Sequence, residues 1–310
     1  MEYVSDSLMI ASEPDYGSAG DPMVRTILGA LAYADLFDYP LSAKEITRYQ
    51  IESSFSAGEI GYCLATSPAL ADLVRHDGNM YCLRGRENVL ETRRARSKDS
   101  QHVWSRARLY ARLLADMPFV RLVAITGALA VDNIAARPDI DWLIVAKQGR
   151  VWLCRRLIIG LVRVARLFGD DLCPNYIISE TRLSLDQQDL FTAHELAQMV
   201  PLYGKELYKR MIAQNAWAFD YLPAAFSDPY ATVPTRRRGP FRRVAECLLS
   251  ARMFDRWERW ELKRLRQKLR PLVGEAAEVI CSPDQCKGHT GLHRQWVTTR
   301  YSTRLRELGL

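Results

Sequence analysis

The middle of the chain alternates short apolar strands with a glycine turn and one long helix, and this order constrains everything around it. Leu122 to Thr126 and Trp142 to Ala146 are short apolar runs that read as strands. Between them, Gly127 to Ala130 forms a tight turn that runs into a short helix. A longer helix from Gly149 to Phe168 leads to a third strand, Leu172 to Ser179. Strands and helices in this order predict a mixed sheet with helices packed on it.

The 310 residues exceed one average domain of roughly 150, so two or three units are expected. Residues 1–21 carry Gly, Ser, Asp and Pro without periodicity and read as a flexible arm. From Pro22, Val24, Ile27, Leu28 and Leu31 line one face of a helix. Ser42 with Glu45 and Ser56 with Glu59 are capping boxes that open two more helices. Leu73 to His76 and Met80 to Leu83 read as strands joined by an Asp77-Gly78-Asn79 turn. Three helices and a hairpin is the order of a winged helix, so a winged-helix-like domain is expected over 22–98.

A helical connector is expected over 99–118 and the central sheet with its helices over 119–221. Later helices are expected near 187–199, 205–221 and 244–269. Pro223, Pro229, Pro234 and Pro240 interrupt regular structure and mark a linker over 222–243. Residues 244–310 read as a helical C-terminal region. The fold class is therefore α+β.

Apolar residues make up 48% and charged residues 25%, which excludes disordered and fibrous classes for most of the chain. A net charge of +7 suits a polyanionic partner and equally an ordinary solvated surface. The seven scattered cysteines suggest no disulfide framework and fit a reducing, cytoplasmic compartment. No basic segment followed by an apolar one opens the chain, so no signal peptide is expected. The most apolar run, Leu157 to Phe168, contains Arg163 and Arg166 and is shorter than the about 20 residues a membrane span needs. No membrane partner is expected.

Asp139 and Asp141 stand two apart at the mouth of the second strand. Alternate side chains of an extended chain share a face, so both carboxylates can point at one metal site. Such a pair suits Mg²⁺, which completes its shell with water and substrate phosphates, and two such ions can clamp both oxygens of a phosphoryl or nucleotidyl transfer. Gly127 lets the backbone approach a phosphate closely, and the short helix after it can offer amides to the anion. Acidic pairs at strand ends also occur without any chemistry.

Val123 to Ala130 (VAITGALA) followed by Asp139 to Val145 (DIDWLIV) resembles the signature of the DNA polymerase β-like nucleotidyltransferase superfamily. In that superfamily a strand, a Gly-Ser turn, a helix and a strand carrying Asp-x-Asp form the core. The whole chain also resembles a bacterial family of predicted nucleotidyltransferases. Leu36 to Leu41 (LFDYPL), Cys173 to Tyr176 (CPNY) and Ala193 to Gly204 (AHELAQMVPLYG) carry that likeness. The resemblance implies a nucleotidyltransferase-like domain over 119–221, with Gly127 and its neighbour Ala128 shaping the phosphate turn. It implies that Asp139 and Asp141 bind Mg²⁺, as one ion or two. The chain departs from the pattern twice. Ala128 stands where a serine is usual, and the strand that should carry a third carboxylate has Asn175 as its nearest polar residue. Asp170, Asp171 or Glu195 could substitute.

Glu195 is a candidate metal ligand or base and His194 a candidate phosphate neighbour, although adjacent helical residues point about 100° apart and face one site poorly. Cys281, Cys286, His289 and His293 could be read as a zinc cluster, but two residues between Cys286 and His289 leave little room. The family likeness extends over this segment and implies instead that Lys287 and His289 line a phosphate pocket. Arg236 to Arg238 with Arg242 and Arg243 could meet nucleic acid or form a solvated linker. Arg155 and Arg156 could neutralise a triphosphate or balance Asp170 and Asp171. The candidate recognition helix, Ala57 to Ser67, has no basic residue, so nucleic acid is possible but not the favoured partner. Met253, Trp257 and Trp260 at helical spacing are read as core.

Two functions follow as expectations. The first is a Mg²⁺-dependent enzyme that moves a nucleoside monophosphate from a nucleoside triphosphate to an unknown acceptor, whether small molecule, protein or nucleic acid. The second is a catalytically degenerate nucleotide-binding or regulatory module with a winged-helix interaction domain.

Overall fold

The computed structural model describes residues 20–135, 139–226, 240–250, 253–269, 279–288 and 293–310. Most of the arm expected over 1–21, and residues 227–239 of the expected linker, lie outside them. The chain is mixed α+β, with a small antiparallel sheet and a six-stranded mixed sheet.

The first described helix, α1 (Pro22–Asp35), starts where Asp21 accepts hydrogen bonds from the amides of Met23 and Val24. Pro22 sits at its first turn, where a missing N–H costs nothing. Then come β1 (Leu41–Ser42), α2 (Ala43–Arg48), α3 (Ala57–Thr66), α4 (Pro68–Leu73), β2 (Val74–Asp77) and β3 (Met80–Leu83). Both capping boxes form, Ser42 with Glu45 and Ser56 with Glu59. The three strands pair antiparallel in the order β1-β3-β2.

The connector is longer than expected. Helix α5 runs from Asn88 to Asp116, because no Gly or Pro interrupts residues 88–98. The central sheet then builds from β4 (Val120–Ile125), the single turn α6 (Gly127–Ala130), β5 (Asp139–Ala146), α7 (Val151–Leu167), β6 (Asp171–Ser179), α8 (Leu190–Gln198) and β7 (Val200–Tyr203). Helices α9 (Lys205–Gln214) and α10 (Ala218–Tyr221) divide the single helix expected over 205–221. The Asn215 side chain lies at the break, bonded to the Leu185 amide and to the carbonyls of Leu183 and Met211.

Residues 244–310 are not wholly helical. Helices α11 (Pro240–Leu249) and α12 (Met253–Leu269) replace one long helix, and α11 begins inside the expected linker because proline is well tolerated at a helix start. After them, β8 (Val279–Ser282) and β9 (Gln285–Gly288) form a hairpin that joins the central sheet, and α13 (His293–Glu307) follows. The strand order is β7-β4-β5-β6-β9-β8, with β5 and β6 parallel and every other pair antiparallel.

Period-two alternation divides the core between the two faces of this sheet. Leu122 and Ala124 of β4, with Leu143 and Val145 of β5, pack towards α1, Ile46 and α8. Val123, Ile125, Trp142 and Ile144 point the other way, into a core with α5, α7 and Leu265 of α12. The N-terminal unit therefore shares a core with the sheet. No helix among the described residues is long and apolar enough to cross a membrane.

Arg242 corrects one expectation directly. It was grouped with a solvent-facing basic run, yet it is 2% exposed. Its guanidinium donates to the Ala115 carbonyl at 2.6 Å, to Tyr203 Oη at 2.9 Å and to the Val120 carbonyl. Glu246 completes the cluster, bonded to Arg242, Arg121 and the Phe119 amide. Burial opposes ionisation of Glu246, but these donors outweigh it and hold its carboxyl at about 2. Arg236 to Arg238 lie outside the described residues. Removing one member of a buried ion pair leaves the other unpaired, at a cost of about 3–5 kcal/mol. Arg242→Ala is therefore expected to lower stability by that order in urea unfolding at neutral pH, whereas Arg243→Ala on the exposed side should change it little.

Candidate functional site

The topology gathers one set of polar residues at a single end of the central sheet. Antiparallel pairing brings the end of β4, and Gly127 after it, beside the start of β5 with Asp139 and Asp141. Parallel pairing sets the start of β6 beside them, Asp139 opposite Asp171 and Asp141 opposite Cys173. Strand β9 runs antiparallel to β6, so Lys287 near its end lies opposite Tyr176. Helix α8, carrying His194 and Glu195, leads into β7 at the same end.

Ligand atoms of Asp139, Asp141 and Cys173 lie within 4.8 Å of one another. Asn175 Nδ2 donates to Asp141 Oδ1, and Cys173 Sγ donates to Asn175 Oδ1 at 2.8 Å. Burial, reinforced by the Asp141 and Asp139 carboxylates, pushes the Cys173 thiol up to about 12. It is therefore a neutral thiol engaged with an amide, and the carboxyl oxygens of Asp139 and Asp141 are the hard donors of the group. Asp141 is half-buried while Asp139 is exposed. Burial, Asp139 and Glu195 together raise the Asp141 carboxyl to about 8, against the Asn175 hydrogen bond. Two such carboxylates held together suit a hard cation.

Gly127 has φ +65°, and a Cβ there would run into Asp141 Oδ2. Glycine is required both for the backbone turn and for the space the carboxylate fills. The helix after it is a single turn, so its partial charge is small, and an anion there would depend on individual amides.

Asp170 and Asp171 do not join the site. Asp170 binds Arg106 and Tyr110 Oη, and Asp171 pairs with Arg166 at 3.0 Å. Glu195 shares a cavity with Asp141 but lies outside the group of ligand atoms formed by Asp139, Asp141 and Cys173. Glu195 and His194 line the same cavity as Asp141, contrary to the expectation that neighbours on a helix would diverge. His194 stacks on Tyr33 with centroids 3.7 Å apart, and burial lowers it to about 4, so it is neutral and packed. Burial lifts Glu195 to about 7, and Lys287 pulls the other way. Lys287 Nζ donates to Gln187 Oε1 at 2.8 Å.

The other expected groups separate. Arg155 faces Glu261 of α12, not the carboxylate site. Cys281 and Cys286 face each other across the hairpin, His293 lines the cavity, and His289 lies outside the described residues. No zinc set assembles among the described residues. On the N-terminal unit, Arg86 is committed to Asp35 and Asp38. Met253, Trp257 and Trp260 of α12, expected in the core, are all more than half exposed.

The cavity measures about 360 Å³. Sequence reasoning missed one wall of it: Tyr33 of α1, and Phe37, Tyr39 and Tyr49 after it. The only signal was the LFDYPL segment, which supplies Phe37 and Tyr39 but carries no ligand chemistry of its own.

An acid raised by burial destabilises the fold as pH rises from its ordinary value, 3.8 for aspartate, towards its folded value, about 8. Asp141→Asn keeps the acceptor for Asn175 and removes the charge. In EDTA the variant is expected to melt at higher temperature than the wild type at pH 8, with the difference shrinking towards pH 5. No known family, curated protein or solved structure matches this chain.

Proposed function

We propose that this chain is a Mg²⁺-dependent nucleotidyltransferase, which moves a nucleoside monophosphate from a nucleoside triphosphate to a hydroxyl acceptor. The observation that carries the reading is the Asp139–Asp141 pair on β5, packed against a glycine turn that leaves room for the Asp141 carboxylate. Its likeness to the polymerase β-type signature supports the same reading. Oxygen donors beside a neutral thiol fit Mg²⁺, with Asp139 and Asp141 as its holders. When bound, Mg²⁺ would supply positive charge against the phosphates and their developing charge.

The chain's own residues have separable tasks. Asn175 orients Asp141 through its amide. Gly127 and Ala128 shape the turn beside the phosphates, and Lys287 contributes positive charge on the cavity wall. Glu195, held near neutrality by burial, can accept the acceptor's proton. The acceptor oxygen then bonds to the α-phosphorus, and pyrophosphate leaves with the electron pair of the broken bond.

The winged-helix-like unit contributes a cavity wall in this reading. The exposed face of α3 carries Ala57, Glu59 and Tyr62 and no base, which argues against nucleic acid as its partner. Seven free cysteines suit a cytoplasmic setting. A second reading, a degenerate nucleotide-binding module, is favoured by Asn175, an amide where a third carboxylate would stand. Such a module would hold nucleotide without releasing pyrophosphate.

Calorimetric titration of the four nucleoside triphosphates, with and without Mg²⁺, tests the site. We expect Mg²⁺-dependent binding of at least one, lost in Asp139→Ala/Asp141→Ala. Absence of heat with all four in the wild type would remove both nucleotide readings.

A further inference from the structure

Asp141 and Glu195 are the carboxylates that line the cavity. Its remaining wall is built largely of rings, and these come from the N-terminal unit as much as from the central sheet. Tyr33 projects from α1, Phe37, Tyr39 and Tyr49 from the segments that follow it, and Phe191 from α8. The rings are fixed before any ligand arrives. Tyr33 lies flat on His194, with an interplanar angle of 11°. Tyr39 donates its hydroxyl to Glu45 at 2.9 Å, and the Arg93 guanidinium sits 3.8 Å from its ring centroid. Pre-positioned aromatic walls bind flat ligands without an ordering cost.

The charges sort the two reactants. Asp141 and Glu195 line the chamber, and Lys287 is the one Lys or Arg among the described residues that do. A triphosphate with about four negative charges requires several cations or metal-held oxygens to offset desolvation. Asp139, by contrast, is exposed and does not line the chamber. The carboxylate pair thus straddles the chamber's edge, with one member open to solvent and the other facing inward. The volume, about 360 Å³, is that of a small-molecule pocket.

We propose that the ring-walled chamber is the acceptor subsite, and that the acceptor is a small, uncharged, ring-bearing alcohol whose hydroxyl reaches Glu195. This rests on the nucleotidyltransferase reading, with the triphosphate approaching from the Asp139 side and only its phosphates meeting the chamber, at the Gly127–Ala128 turn. The acceptor oxygen bonds to the α-phosphorus, its proton passes to the Glu195 carboxylate, and the bond to the bridging oxygen breaks with pyrophosphate leaving. The product is a nucleoside monophosphate ester of the alcohol. The N-terminal unit is then a specificity element of the enzyme.

Ligand-observed fluorine NMR with 2-(4-fluorophenyl)ethanol as probe tests the assignment on the full chain. The wild type should broaden the probe signal, and the charged analogue 4-fluorobenzoate should bind at least tenfold more weakly. Ala34→Phe, which fills the chamber, and Phe37→Ala, which removes a wall, should each weaken the probe at least tenfold. The second variant serves if the first does not fold. Saturating Mg²⁺ and ATP should leave the probe bound. Displacement by ATP would assign the chamber to the nucleotide base and overturn the proposal while leaving nucleotidyl transfer intact. Absent probe binding, or equal binding by both variants, would overturn it as well. If the probe binds but no nucleoside triphosphate does, the enzymatic reading fails and the acceptor assignment falls with it.

Discussion

Parallel pairing of β5 with β6 forces the chain to return to its starting edge through α7, and that return decides where the polar residues collect. Both strands begin at the same end of the sheet, so Asp139 and Asp141 stand beside Cys173 and Asn175. The antiparallel neighbours bring the end of β4 and the end of β9 to that edge, with Gly127 and Lys287. Had β6 paired antiparallel, Asp171 and Cys173 would lie at the opposite end of the sheet from Asp139 and Asp141. The site is a consequence of strand direction before it is one of side-chain choice.

The same sheet accounts for the position of the N-terminal unit. Alternation along β4 and β5 gives it two apolar faces, and each needs a cover. Helices α5, α7 and α12 cover one, and α1 with α8 covers the other. Where that second layer meets the end of the sheet, packing is incomplete and the ring-lined cavity remains. Cavity and core are therefore made by the same helices. Arg242 has a comparable role at the opposite end, tying α11 to the end of α5 and the start of β4 through the Ala115 and Val120 carbonyls.

What could be read from sequence was what depends on neighbours in the chain. The Gly127 turn, the Asp139–Asp141 spacing and both capping boxes are local patterns, and each has the geometry its spacing requires. Strand β7 was hidden because Pro201 argues against a strand, although an edge strand tolerates it. The hairpin of β8 and β9 was hidden because its strands are four residues long with mixed polarity. Arg242 looked like part of a solvated basic run because composition carries no information about which arginine meets three buried acceptors. The aromatic wall was illegible for a similar reason. Tyr33 and His194 are far apart in the chain, and only the packing of α1 on α8 brings their rings together.

The central claim is that Asp139 and Asp141 hold a divalent cation at the head of β5. Anomalous diffraction from crystals soaked with Mn²⁺ and a non-hydrolysable ATP analogue tests it most directly. The account predicts an anomalous peak within coordination distance of both carboxylates, absent in Asp139→Ala/Asp141→Ala. A wild-type map with analogue bound and no peak between these two residues would contradict it.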